Sequence, residues 1–203
     1  MKHTKRLILF LLAQILMTFG IALYLRAEIG VGPWDVLHNN LFEFYALSFG
    51  TWVFIVGIIT ILISQIFYKN IRNLLAIITG LIQGQFIDFW LDYVLNFELS
   101  ALAIRIPIFL FSLVLLGSGI SLLVHTKYPP TPPDILMLSI KQKFKLNYLK
   151  AKTLTELSAF LVAIIIGIIN SNPFNNIGIG TLFTILFIGS IVEVSAKLWI
   201  KII

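Results

Sequence analysis

The chain has no cysteine in its 203 residues. That absence excludes disulfides, thiolate-bound metals and cysteine nucleophiles together. Charge is also scarce: Asp, Glu, Lys and Arg make up 12% of the chain, against about 25% in a soluble domain. Missing too are a nucleophile paired with a base, a cluster of metal-ligating side chains and a glycine-rich phosphate loop followed by lysine. These gaps argue against an enzyme and leave no catalytic residue, metal or cofactor to nominate.

What the chain has in abundance is apolar surface. Hydrophobic residues make up 59% of it and the mean hydropathy is +0.98, beyond the roughly 45–50% apolar content of soluble domains. Six apolar runs, Leu7–Leu25, Thr51–Phe67, Asn73–Leu95, Ile106–Val124, Thr153–Ile169 and Gly178–Trp199, are each 17 to 23 residues long. About 20 residues cross a bilayer core, so the expectation is an all-α polytopic membrane protein with six transmembrane helices in a single membrane domain, residues 1–203. Lys2, Lys5 and Arg6 precede the first run as in a secretory signal, but the run exceeds the usual 7–15 or so apolar residues and reads as a retained helix.

The net charge of +6 bears on topology rather than on nucleic acid. Threading six spans from a cytoplasmic N-terminus leaves only Arg26 and Arg105 outside among the fifteen Lys and Arg residues. Both termini are therefore expected in the cytoplasm, with the lipid bilayer as the first partner.

Two stretches of helix breakers stand out, Gly30-Val31-Gly32-Pro33-Trp34-Asp35 and Pro129-Pro130-Thr131-Pro132-Pro133-Asp134. With their flanks, segments starting at Gly20 and Gly119 align without a gap at a spacing of 99 residues; Thr79, Gly84 and Asp88 fall opposite Thr184, Gly189 and Glu193 at a spacing of 105. Residues 1–98 and 99–203 then hold three spans each. Three is odd, so the second copy enters from the opposite face and the expected architecture is two inverted 3+3 repeats. After each break comes a short segment, Trp34–Tyr45 or Ile135–Leu146, of twelve residues. Twelve residues reach only ~18 Å, too short to span, which predicts a re-entrant or interfacial helix in each repeat. Inverted repeats with broken elements in matching places point to a secondary transporter and to its binding site. A duplication kept for packing alone is the plain alternative.

Each break also reads as a helix start, with Gly32 or Thr131 at the N-cap, Pro33 or Pro132 first in the helix and Asp35 or Asp134 third. Cap, preset φ and carboxylate at the positive dipole end all favour that reading. Since an acid already sits at each dipole, a cation or zwitterion fits better than a bare anion. Trp34 lies in the first break and His38 beside it; histidine changes charge near neutral pH, although a lone interfacial one more often serves as a passive hydrogen-bonding group. Asp88 lies about 10 Å deep in its span, at ~1.5 Å per residue, where a charge usually faces the bundle interior or water. Its counterpart Glu193 has Lys197 four residues on, a spacing that pairs on a helix surface. The candidate substrate-binding residues are Gly32, Pro33, Trp34, Asp35, His38, Asp88, Thr131, Pro132, Asp134 and Glu193. Elsewhere, Ala76, Gly80 and Gly84 form a small-residue stripe, Pro107 is expected in the first turn of its span, and Lys141, Lys143 and Lys145 read as a basic cytoplasmic surface.

The segment from Gly30 to Leu37, Gly-Val-Gly-Pro-Trp-Asp-Val-Leu, resembles the signature of the YczE/YitT-like family of bacterial integral membrane proteins, a G-x-G-P-x-D-x-L segment after the first helix. Length, six spans and a second Pro/Asp-containing copy match that pattern too. The resemblance implies a multi-pass protein of the bacterial cytoplasmic membrane and carries over no ligand-binding residues. Gly-Val-Gly in the first copy becomes Pro-Pro-Thr in the second, so the two breaks are not expected to have equal roles. The leading reading is a secondary transporter for a small cationic or zwitterionic solute, its site between the repeats, working with or without a coupling proton or cation. A homo-oligomer is compatible with it. Two alternatives are a non-transporting substrate-binding membrane subunit of a larger importer, and a membrane-organising or regulatory protein acting through Lys141–Lys152.

Overall fold

Residues 3–202 are described by a computed structural model, and every regular element among them is helical. The helices are α1 (His3–Ala27), α2 (Pro33–Phe44), α3 (Phe49–Phe67), α4 (Ala76–Phe89), α5 (Leu102–Thr126), α6 (Pro132–Phe144), α7 (Tyr148–Ile169) and α8 (Ile179–Ile202). A 3₁₀ turn, Ile71–Leu75, leads into α4 and a π-helical turn, Trp90–Val94, follows it. Six segments are long and apolar enough to cross a membrane: α1, α3, Ile71–Val94, α5, α7 and the α8 stretch to Ile200. They are the six expected runs, and no end differs by more than five residues.

The starts of α5 and α7 lie further out than expected for local reasons. Helix α5 begins at Leu102, which puts Pro107 in the second turn and not the first. The added turn is anchored by Arg105, whose Nε donates to the Ala27 carbonyl and whose Nη2 donates to the Glu28 carbonyl, both at 2.6 Å. Helix α7 begins at Tyr148, because the Asn147 side chain accepts from the Lys150 amide at 2.8 Å and caps it. Lys152, expected among the cytoplasmic surface lysines, is thereby drawn into a membrane-length helix.

The chain forms two compact units, each built from both halves of the sequence. One contains α1 and the loop through Gly32, the stretch Phe86–Tyr128, and α8. In this unit α1 lies against α5. A Cβ on Gly20 would stand 2.8 Å from the Leu116 amide nitrogen and the Ser112 carbonyl; on Gly119 it would stand 2.6 Å from the Met17 nitrogen and 2.8 Å from the Ala13 carbonyl. In lipid, where apolar surface gains little by hiding, such backbone contact through small residues is what binds helices. The Trp90 indole donates to Thr18 Oγ1 at 2.9 Å, Arg26 Nη2 donates to the Leu91 carbonyl at 2.8 Å, and Trp199 on α8 donates to the Ser118 carbonyl at 3.1 Å.

The second unit holds α2, α3, α4 as far as Gln85, α6 and α7. Here α2 packs on α7 and α3, and α6 packs on α3 and α7. Ile61, Ala76 and Ile135 form a small buried cluster. The Pro132 ring is seated between α3 and α4: a Cβ on Gly57 or Gly80 would stand 3.1 Å from its Cγ. Within the small-residue stripe on α4, Gly80 therefore receives the start of α6, whereas Gly84 abuts the Gly50 backbone.

Candidate functional site

Both breaks end in helix starts at the expected proline. Helix α2 begins at Pro33 with Asp35 in its first turn, and α6 begins at Pro132 with Asp134 in its first turn. Thr131 is extended; its hydroxyl accepts from the Asp134 amide at 3.3 Å and donates to Asp134 Oδ2 at 2.8 Å. One acid thus serves as a cap partner through one oxygen and faces Lys152 with the other. Each break is also tied down from outside. The Ile29 carbonyl accepts from the Gly180 amide at 3.0 Å, next to Gly30 at φ +125°, a backbone conformation only glycine adopts without strain. The Pro129 carbonyl accepts from the Thr79 hydroxyl at 3.0 Å.

The second unit gathers charge where α2, α6 and α7 meet. Lys152 Nζ stands 2.9 Å from Glu156 Oε1, one turn along α7, and 3.5 Å from Asp134 Oδ1 at the start of α6. Asp35, at the start of α2, is close enough for its charge to act on Glu156. The Lys152 and Glu156 side chains are 34% and 23% exposed, so the cluster is neither sealed nor fully solvated. Asp35 Oδ1 is also 3.5 Å from His38 Nδ1. That imidazole is buried, edge-on to Phe49 at 5.9 Å, and its Nδ1 makes no hydrogen bond among the described residues. Further along α2, Asn40 donates to the Ala163 carbonyl at 2.9 Å and fixes α2 against α7.

Three carboxylates and one lysine ammonium make up this cluster, an arrangement that attracts a further cation and repels an anion. At an effective dielectric of about 20, unit charges ~4 Å apart interact by about 4 kcal/mol, which is enough to hold a long lysine side chain in one place. Among the described residues no group of three or more His, Cys, Asp or Glu side chains is arranged to hold a metal ion. Beside α6 lies a cavity of about 230 Å³ lined by Tyr68, Asn70, Asn73, Pro130, Ile135, Leu138, Ser139 and Gln142. Its lining mixes amide and hydroxyl groups with a larger apolar share from residues such as Ile135 and Leu138, and Ile135 adjoins Asp134.

Of the ten residues expected from the sequence, Pro33, Trp34, Asp35, His38, Thr131, Pro132 and Asp134 fall in this second unit, whereas Gly32, Asp88 and Glu193 belong to the first. The Trp34 indole nitrogen is buried and makes no hydrogen bond among the described residues. Asp88 is partly buried on α4. Glu193 pairs with Lys197 at 3.0 Å on the outside of α8, both side chains more than 70% exposed, a contact worth under about 1 kcal/mol. Two residues of the cluster, Lys152 and Glu156, escaped the sequence reading. The signal was present as opposite charges four residues apart at the mouth of an apolar run.

The sequence matches the Family of unknown function (DUF6198) over residues 4–197. It is 32% identical over 181 residues to the "Uncharacterized protein YyaS" of Bacillus subtilis (strain 168), covering 89% of this chain and 87% of that one. It is 29% identical over 185 residues to the "Uncharacterized membrane protein YczE" of the same organism, covering 89% and 80%. No solved structure matches it significantly. Six membrane-length helices, the Gly-x-Gly-Pro-x-Asp start of α2 and these matches agree: the chain is a YczE-like membrane protein that belongs to the family of unknown function DUF6198.

Proposed function

We propose that this protein is a secondary transporter of a small cationic or zwitterionic solute, built as two inverted repeats in a bacterial cytoplasmic membrane with both termini in the cytoplasm. The observation that carries the proposal is the cluster in the second unit, where Asp134 at the start of α6 meets Lys152, and Lys152 meets Glu156, on α7, within reach of the charge of Asp35 at the start of α2. Helices that begin inside a membrane protein are the usual binding elements of such carriers. An ionisable cluster within membrane-length helices is costly unless it has a task.

The inverted repeat is supported by exchanged contacts. Helix α2 packs on α7 while its counterpart α6 packs on α3, and each pair swaps into the other under the same shift of repeat. Gly20 and Gly119 exchange partners in the same manner. In this reading α2 and α6 are the re-entrant helices, the cluster receives the solute's cationic group, and Asp88 is the candidate for a coupling proton or cation.

The test is counterflow in proteoliposomes loaded with small amines and amino acids. Flux that appears with the natural protein and, at solute concentrations well below saturation, falls steeply in D134N and E156Q, both still folded, is the expected result. Unchanged flux in both variants overturns the proposal.

A further inference from the structure

The cationic ligand already present in the cluster is the protein's own. Lys152 Nζ lies 2.9 Å from Glu156 Oε1, the distance of a charge-assisted hydrogen bond, and 3.5 Å from Asp134 Oδ1, a looser ion pair. Its side chain reaches there from α7 on a flexible four-carbon stem, and a third of that side chain remains exposed. On α2, the buried His38 presents an Nδ1 that makes no hydrogen bond among the described residues, 3.5 Å from Asp35, the acid whose charge reaches Glu156. Such a group, paired with nothing but a neighbouring carboxylate at long range, is costly to bury unless something else engages it.

We propose that the position of Lys152 Nζ is the ammonium subsite for the transported solute: Lys152 is a tethered occupant, and a solute bearing a primary ammonium displaces it onto the same two acids while its remaining polar group meets His38. This rests on the transporter reading for the identity of the displacing ligand. It narrows the solute to one with N–H donors on its cation. A quaternary ammonium, with no donor to offer, and a metal ion, for which no ligand cluster exists among the described residues, are disfavoured. Tethering also sets the selectivity of the resting protein. A lysine held on a short flexible stem competes at an effective concentration of order millimolar, so only solutes that add contacts beyond the ammonium displace it.

The experiment is chemical rescue of Lys152→Ala, read as the apparent melting temperature of the full-length protein in detergent. Removing Lys152 leaves Asp134 and Glu156 without their ammonium, and methylammonium is expected to restore it. At about one hundred times its Kd a ligand raises the melting temperature of a chain this size by on the order of 5–10 °C. The natural protein at the same concentration is expected to move far less. Tetramethylammonium and sodium, at matched ionic strength, are expected to leave both proteins unmoved. The double variant K152A/E156Q should lose the rescue.

Equal shifts with tetramethylammonium or sodium overturn the proposal, since they report only screening of the acids; so does no shift, or an equal one in the natural protein. Should K152A fail to survive solubilisation, K152M takes its place with methylammonium present throughout. Failure of both to yield folded protein under those conditions counts against the subsite, because a site that takes methylammonium is stabilised by it. Rescue without flux in proteoliposomes removes the transporter and keeps the subsite, and flux without rescue does the reverse.

Discussion

Gly20 and Gly119 hold exchanged places where α1 crosses α5: Gly20 abuts Ser112 and Leu116, and Gly119 abuts Ala13 and Met17. Each partner stands 99 residues from its counterpart, the spacing at which the two breaks also align. A repeat visible in one dimension is thus matched by a contact that is its own mirror under exchange of the two copies. Such self-exchange supports the proposed inverted repeat better than the sequence alignment alone does, because sequence similarity does not require reciprocal contact.

The exchange makes equal predictions for the two glycines. Substituting alanine at either forces backbone atoms apart and should cost about 1–3 kcal/mol, as overpacking does, lowering the melting temperature by similar amounts in G20A and G119A. Gly189 is the control, since a Cβ there meets nothing within 4 Å. G189A should be neutral or stabilising by up to about 1 kcal/mol, the helix propensity gained. A large loss in only one of G20A and G119A contradicts the reciprocal crossing.

Much of this fold could be read in the residues. The apolar runs locate the six spans, and Pro33 and Pro132 locate the starts of the two short helices, since breaker, cap and acid act within one turn and need no tertiary contact. The expected boundary fell short where the helix start depended on a cap outside the apolar run. Asn147 starts α7 ahead of Lys150 and Lys152, so a lysine that looked like a flanking charge became part of the site. Its partner Asp134 lies on another helix, and no local spacing announces a pair that forms only when α6 packs on α7. The same limit hid the local role of the two arginines that the expected topology sets apart from the other cations. Arg26 and Arg105 each donate to backbone carbonyls near the C-terminal ends of helical segments, where free acceptors and the negative dipole end favour a cation.

That role of Arg105 separates its two partners. Its guanidinium bonds the Ala27 and Glu28 carbonyls at 2.6 Å, and it reaches the mostly exposed Glu28 carboxylate only at 3.2 Å. Removing the charged donor in R105A should cost about 1.5–3 kcal/mol, the range for charge-assisted hydrogen bonds. E28Q should cost less than about 1 kcal/mol, as an exposed ion pair does. Thermal unfolding of both variants checks the contrast, and an E28Q effect as large as R105A would show that the side-chain pair dominates.

The Lys152 cluster should be strongly coupled. Removing one member leaves charge behind in a partly buried place, so K152M and E156Q are each expected to destabilise by about 1–3 kcal/mol, between the values for exposed and fully buried pairs. The double variant should cost less than their sum by about 0.5–3 kcal/mol, the coupling seen for residues in one network. The exposed Glu193 and Lys197 pair gives the comparison, with a coupling under about 1 kcal/mol. Additive effects at Lys152 and Glu156 would mean the 2.9 Å contact carries no energy.

Transport assays should divide the acids by role. Asp35, Asp134 and Glu156 belong to the unit that holds Lys152, whereas Asp88 belongs to the other. If the cluster binds the solute, loss of one charged contact of about 1.5–3 kcal/mol weakens apparent affinity about 10- to 100-fold, so D134N and E156Q should raise the solute concentration needed for half-maximal counterflow by that factor. D35N should have a smaller effect, because Asp35 acts on Glu156 through its field and its close contact is with His38. D88N should keep counterflow, which needs no driving ion, and lose accumulation against a gradient. The decisive comparison uses one proteoliposome preparation with and without an imposed proton gradient. A D88N variant that still accumulates solute assigns coupling to the cluster itself, where binding of the solute and of the coupling ion would then compete for the same carboxylates.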